Sequence, residues 1–434
     1  MKFHPFAASL PLLLLSTGPG ATAAIQFQLP AGIRAHLPAF IRNFGSSTSS
    51  TPSPLLTLHE DLVSIPSVTG NETAVARFLA DYLTAHNFTV ETQHVSDGLE
   101  GERFNVFAYL GKERSTHMLI TSHLDTVPPF IPYSSSRNTI YGRGSNDAKG
   151  SVAAQITAVE ELIKEDLLHE GDISLLYVVG EETTGDGMKA ANNLRVQPWK
   201  SVIFGEPTEN KLAVGHKGIL MFDVIAKGKA SHSGYPHLGV NANSHLIQAL
   251  AVLDNLELPA SKLLGASTLN VGRMEGGVAY NVIPAFAKAK ILVRVAADLE
   301  ETIKALKESV KDLPVELEFT EVAYGPVELD YDVKGFETIV CAYGTDVANL
   351  HGEHKKYLYG PGSILTAHGE NEFILKSDLT EAVAGYKKLI KHSMRAVPVK
   401  EAPAAVTENK VEEEKTVDSV VESETVGPIV DTEL

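Results

Sequence analysis

Ser122-His123-Leu124-Asp125-Thr126-Val127-Pro128 follows directly on the apolar run Met118-Leu119-Ile120, and Gly144-Ser145-Asn146-Asp147-Ala148-Lys149-Gly150 lies just downstream. The apolar run predicts a strand that feeds its last residues into a loop. His123 and Asp125 are two positions apart, so in extended backbone they point to the same side. An imidazole placed there can bind a metal while a neighbouring carboxylate holds its other nitrogen. Alone, the pair is equally well a satisfied polar pair at a strand end. The weight falls on what else gathers at such ends.

Working outward, Ser151 to Leu168 reads as a helix with Val152, Ile156, Val159 and Leu162 at helical spacing. Ile173 to Val179 is a buried strand ending at Gly180-Glu181-Glu182, and Ser201 to Phe204 another, ending at Gly205-Glu206-Pro207-Thr208. Upstream, helices are expected over Leu55 to Val63 and Asn71 to His86, and strands over Phe88 to Thr92, Phe104 to Tyr109 and His117 to Ser122. Alternating strands and helices predict an α/β fold, a mixed central sheet flanked by helices. Polar residues collect at the carboxyl ends of the strands, where open α/β sheets bind ligands.

Beyond His216 the order becomes β-α-β-β-α-β, the pattern of a small α+β two-layer sandwich with a four-stranded antiparallel sheet and two helices. We therefore divide the chain into a metal-binding catalytic domain (54–215 and 326–395) and an inserted lid or dimerisation domain (216–325). Phe336 to Tyr343 is expected to be a helix, the stretch from His351 to His368 loop-rich, and Leu379 to Met394 a closing helix.

The ends read differently. Lys2 precedes an apolar run from Phe6 to Leu15, and Ala21-Thr22-Ala23 suits a cleavage site, the layout of a signal peptide over 1–23. Residues 24–53 resemble a flexible leader or propeptide, and 396–434 an acidic disordered tail. Sequons at Asn71 and Asn87 accord with glycosylation and a secreted, extracellular protein. The net charge of -17 argues against a nucleic-acid partner. No mature segment has the continuous apolar length of a membrane span. The single cysteine, Cys341, in helix-like apolar surroundings, reads as a buried small residue; no internal disulfide or multi-cysteine zinc site can form.

Five side chains have the chemistry of a two-metal site: His123, Asp147, Glu182, Glu206 and His368. Zinc and cobalt accept imidazole nitrogen and carboxylate oxygen. Asp147, in a Gly-rich turn before a helix, is the best candidate to bridge two ions. Of the adjacent Glu181 and Glu182, one can ligate while the other takes a proton; we assign Glu181 as base and Glu182 as ligand. A Gly-x-Ser-x-Gly elbow and a full dinucleotide fingerprint are both missing from the sequence.

With Ala367-His368 and Asn371-Glu372 added to these motifs, residues 55 to 395 resemble the M20 family of metallopeptidases, in the branch of acetylornithine deacetylase, succinyl-diaminopimelate desuccinylase, aminoacylase-1 and glutamate carboxypeptidase. The resemblance implies that His123 and Glu206 hold one metal, Glu182 and His368 the other, with Asp147 between them and Asp125 orienting His123. It implies two Zn(2+) per subunit, with Co(2+) or Mn(2+) as substitutes. His232, in Ala230-Ser231-His232-Ser233-Gly234, resembles a family histidine that approaches the scissile carbonyl. Asn281, Arg294, Gly362 and Ser363 resemble residues that contact substrate.

The expected function is a secreted carboxypeptidase or dipeptidase that cleaves an amide next to a free carboxylate with a metal-activated water. Its substrate would be a small peptide or N-acyl amino acid, and the insert could form a homodimer. Two alternatives stand beside it: an N-acyl-amino-acid deacylase, and a catalytically silent binding or assembly protein on the same scaffold.

Overall fold

The computed structural model describes residues 53–98 and 101–395. The expected signal peptide, the leader up to Pro52 and the acidic tail lie outside the described residues.

The first part of the chain forms α1 (Pro54–Ser64), α2 (Thr73–Ala85), β1 (Phe88–Gly98), β2 (Gly101–Leu110), β3 (Met118–His123), β4 (Ser134–Ser135) and β5 (Thr139–Tyr141). It continues through α3 (Lys149–Lys164), β6 (Ile173–Val178), α4 (Asp186–Ala191), β7 (Ser201–Gly205) and β8 (Leu212–His216). The insert holds β9 (Gly218–Lys227), α5 (Ala242–Asp254), β10 (Ala260–Ser261), β11 (Gly265–Ala266), β12 (Thr268–Gly276), β13 (Phe286–Val295), α6 (Leu299–Ser309) and β14 (Val315–Tyr324). The return adds β15 (Val327–Glu328), β16 (Thr338–Cys341), β17 (Lys355–Tyr359), β18 (Phe373–Leu375) and α7 (Lys376–Arg395).

The central sheet has the order β1-β2-β6-β3-β7-β17. β6, β3, β7 and β17 are parallel, and the β1–β2 hairpin joins antiparallel, so the sheet is mixed as expected. Side-chain alternation supplies both faces with a core. Along β6, Ile173, Leu175 and Tyr177 pack with α1, α2, α3 and α7, while Leu176 and Val178 face α4, Trp199 and Cys341. On α3, Val152, Ile156, Val159 and Leu162 are all fully buried; truncating one such Leu or Ile to Ala costs about 2–5 kcal/mol.

The insert is the expected two-layer sandwich. Its sheet, β12-β13-β9-β14, is antiparallel throughout. Leu246, Leu250 and Leu253 of α5 and Leu306 of α6 cover one face, against Leu220, Phe222, Val224, Ile291 and Val293. Alternation leaves Ile219, Met221, Leu292 and Arg294 on the opposite face.

Two expectations are corrected. The stretch Phe336 to Tyr343 is not a helix: it contains β16, parallel to β8. Thr338-Ile339-Val340 is a run of β-branched residues, whose stiff side chains suit a pleated strand. The supposedly loop-rich stretch after His351 contains β17, which pairs with β7 and buries Tyr357, Leu358 and Tyr359. A five-residue strand led by two lysines has little periodicity to read. Among the described residues no helix is long and apolar enough to cross a membrane.

Candidate active site

The carboxyl ends of three adjacent parallel strands supply the site. His123 ends β3, Glu181 and Glu182 follow β6, and Glu206 follows β7. Asp147 enters from the turn before α3, and His368 from the return segment. His123 Nε2 lies 3.1 Å from Asp147 Oδ1 and 3.9 Å from Glu206 Oε1. His368 Nε2 lies 3.4 Å from Asp147 Oδ2 and 3.0 Å from Glu182 Oε2. The two oxygens of Asp147 thus face two different histidines. His123, Asp147 and Glu206 form one donor group, and Asp147, Glu182 and His368 a second, with the donor atoms of each within 4.8 Å of one another.

The supports are specific. His123 Nδ1 lies 3.0 Å from the main-chain oxygen of Asp125 and 3.6 Å from its Oδ1. The Asp125 carboxylate makes its shorter bonds elsewhere. It accepts from the amides of Glu181 and Glu182, both at 3.1 Å, and from the Thr69 hydroxyl at 2.8 Å. Buried Glu372 fixes the Asp147 turn: Oε1 accepts from the amides of Asn146 and Asp147 at 3.1 and 3.2 Å, and Oε2 from Arg143 Nη1 at 2.7 Å. His368 has φ +61°, in the left-handed region uncommon for a residue with a Cβ.

Electrostatics set the character of the site. Burial pushes Glu181 well above the usual carboxylate range, and Glu206 adds to it. Burial likewise raises Glu206 and Glu182. Burial opposes charge on His123, but hydrogen bonds to Asp125 and Asp147 outweigh it and hold the imidazole well above its ordinary range. Bonds to Asp147 and Glu182 raise His368 to about 10. Buried carboxylates of this number call for positive charge. Glu182 Oε1 is also buried without a hydrogen-bond partner. The imidazole and carboxylate donors, the shared Asp147 and the orphaned oxygen fit a pair of divalent cations.

A family model for peptidase family M20/M25/M40 matches residues 119–392, which contain all of these donors. The chain belongs to this family. It is 50% identical over 343 residues to a peptidase M20 domain-containing protein of Schizosaccharomyces pombe, covering 79% of this chain and 85% of that one. It is 47% identical over 386 residues to a probable carboxypeptidase of Aspergillus fumigatus, covering 79% and 87%. The fold matches a tripeptidase from Staphylococcus aureus (TM-score 0.66, 21% identity, covering 79% of this chain and 98% of that one). It also matches an M20 family metallo-carboxypeptidase from Sulfolobus solfataricus (TM-score 0.62, 18% identity, 79% and 99%). This M20 chain is therefore a metal-dependent hydrolase of the metallopeptidase and amidohydrolase type.

A cavity of about 370 Å³ opens on the metal donors of this M20 hydrolase. Asp147, Glu181, Glu182, Glu206 and His368 line it from the catalytic part, and Arg294 from the insert. The other substrate candidates lie elsewhere. His232 and Asn281 are exposed on one corner of the insert, joined by the bond from the Ser233 amide to the Asn281 carbonyl at 3.0 Å, and neither lines the cavity. His232 thus stands outside the cavity that holds the donors. Gly362 and Ser363 border a separate hollow. There Ser363 Oγ donates to Glu209 at 2.9 Å, and a Cβ on Gly362 would come within 1.9 Å of Asn146 Oδ1. Gly362 has φ +75°, so its place is a tight turn beneath the site.

The sequons also separate. Asn87 is exposed, whereas Asn71 is half-buried with its side-chain oxygen covered and is followed by buried Glu72 and Thr73. Sequence reasoning missed Asp346, a buried carboxylate that lines a small hollow with His123 and Glu206, whose Oδ2 has no partner and which burial pushes up to about 6. No motif marks it.

Proposed function

We propose that this M20 enzyme is an exopeptidase of the carboxypeptidase or dipeptidase type, working with two zinc ions on an amide next to a free carboxylate. The observation that carries this reading is one cavity lined by the whole second donor group, by Asp147 and Glu206 of the first, by an acid–base candidate in Glu181 and by a half-buried guanidinium, Arg294. His123 and Glu206 would hold one ion and Glu182 and His368 the other, with Asp147 between. When bound, such a pair supplies Lewis acidity and lowers the pKa of the attacking water. Glu181 takes that water's proton and returns it to the leaving nitrogen. Asp125 fixes the Glu181-Glu182 turn through two amides, so the base keeps its position. Arg294 pairs with the substrate carboxylate through its planar fork.

His232 and Asn281 would meet substrate through movement of the insert or from a second copy. Exposed Ile247, Met274, Val278 and Tyr280 on the insert support a homodimer through that surface. Light scattering on the purified protein tests this. The signal-like N-terminus and the exposed Asn87 sequon support secretion, and N-terminal sequencing of culture-medium protein tests it.

The deciding experiment is product analysis of the zinc-loaded protein against dipeptides, longer peptides, their C-terminal amides and N-acetyl amino acids. Release of C-terminal residues from free acids, with amides poor, supports the exopeptidase. Exclusive turnover of N-acetyl amino acids moves the assignment to the deacylase.

A further inference from the structure

On the insert's outward face Lys288 lies 2.5 Å from Asp223 and Lys227 2.8 Å from Glu316, whereas Lys290 makes no ion pair with a described residue. Arg294 and Glu321 both line the cavity, yet neither side chain makes a hydrogen bond or ion pair with a described residue. They carry opposite charge and still do not meet each other.

The strand register explains their separation. Arg294 on β13 stands beside Ile219 on β9, which stands beside Tyr324 on β14. One row on, Leu292 stands beside Met221. Opposite Met221, β14 carries three residues, Thr320-Glu321-Val322, because its register slips between Phe319 and Ala323. Bulges of this kind re-aim side chains and are common beside active sites. Thr320 Oγ1 ties the bulge to the Met221 carbonyl at 3.2 Å, and Glu321 is turned to the cavity. An apolar floor of Ile219, Met221 and Leu292 lies between the two charges. Two strand spacings across the sheet and two residues along it set their backbones roughly 12 Å apart, whereas the charged ends of an extended dipeptide are about 7 Å apart. The two long side chains span the difference.

We infer that Glu321 receives a protonated amine of the substrate while Arg294 receives its carboxylate, so that the cavity selects substrates carrying both charges. This rests on the exopeptidase reading above. The amine is either the α-amino group of a dipeptide or the side-chain ammonium of a lysine.

The test compares zinc-loaded wild type with Glu321→Gln on Ala-Leu, N-acetyl-Ala-Leu and N-acetyl-Ala-Lys. A charge-assisted bond to an amine predicts a preference of about tenfold or more in kcat/KM, expressed in KM. In wild type, preference for Ala-Leu over N-acetyl-Ala-Leu that collapses in Glu321→Gln identifies the α-amine. Preference for N-acetyl-Ala-Lys over N-acetyl-Ala-Leu that collapses identifies the side chain. Either supports the assignment, and because each is a ratio, a general loss of folded enzyme does not imitate it. Hydrolysis with both ratios the same in wild type and variant overturns the role of Glu321 alone. No hydrolysis of any of the three by wild type overturns the exopeptidase reading, and this inference with it.

Discussion

Arg103 grips Glu72 through two hydrogen bonds, Nε to Oε2 at 2.8 Å and Nη2 to Oε1 at 2.7 Å, and both side chains are buried. The same guanidinium lies under Gly180, the residue before Glu181; a Cβ on Gly180 would come within 2.8 Å of Nη2. Gly180 also has φ +79°, so the turn that presents the acid–base candidate rests on a buried ion pair. Breaking a buried pair from one side leaves an uncompensated charge and costs about 3–5 kcal/mol. Arg103→Ala should lower stability by that order in urea denaturation, and Arg103→Met with Glu72→Leu should recover most of it.

Glu372 binds no donor atom of the metal groups but holds the Asp147 amide and Arg143. Outer partners of this kind are typically worth about 10–100-fold in metal affinity. Glu372→Ala should weaken zinc binding by that order in competition titration with a chromophoric chelator. An unchanged affinity would show that the turn holds Asp147 without it.

Asp147→Ala should leave the two donor groups without their common member, and metal analysis should fall below two ions per chain. Glu181→Gln should keep metal content near two and lose most hydrolysis, since Glu181 belongs to neither donor group. Full activity in Glu181→Gln would remove Glu181 from the proton path.

Two buried histidines make a contribution to stability that is lost on acidification. His59 and His216 are fully buried, and burial lowers each to about 4. An unfolded histidine titrates near 6.5, so between about 6.5 and 4 the unfolded chain binds more protons than the folded one. Their contribution is therefore complete above about pH 6.5, is lost as pH falls, and stops changing below about pH 4. Each residue contributes on the order of 3 kcal/mol at most, at about 1.4 kcal/mol per pH unit. His59 Nδ1 has no partner to ease its protonation. Denaturation at pH 7 and pH 5 should show His59→Gln losing less stability on acidification than the wild type does.

What the chain announced was chemistry at strand ends. His123, Asp147, Glu182, Glu206 and His368 were legible because imidazoles and carboxylates stood next to turn glycines after apolar runs, where an idle charge is costly. Long periodic elements such as α3 and the strands of the insert were legible for the same physical reason, burial of one face. Short elements were not. Thr338 to Cys341 carries too few residues to separate a strand from a helix by period, and Lys355 to Tyr359 hides its core residues behind two lysines. Glu372 lay within a recognised motif, but its bond to a main-chain amide 225 positions away cannot be read from spacing. His232 and Asn281 were found as a pair by resemblance, while their distance from the cavity depends on how the insert is set.

The donors also have an order along the chain. One group, His123, Asp147 and Glu206, is complete before the insert begins; the other waits for His368, which follows the whole insert. During synthesis the ribosome therefore delivers the first trio early and the last histidine late. A prematurely ended chain, or one clipped so that its final segment is lost, carries half a centre. Hydrolytic competence therefore requires synthesis through the return segment that carries His368 and its docking beside α3.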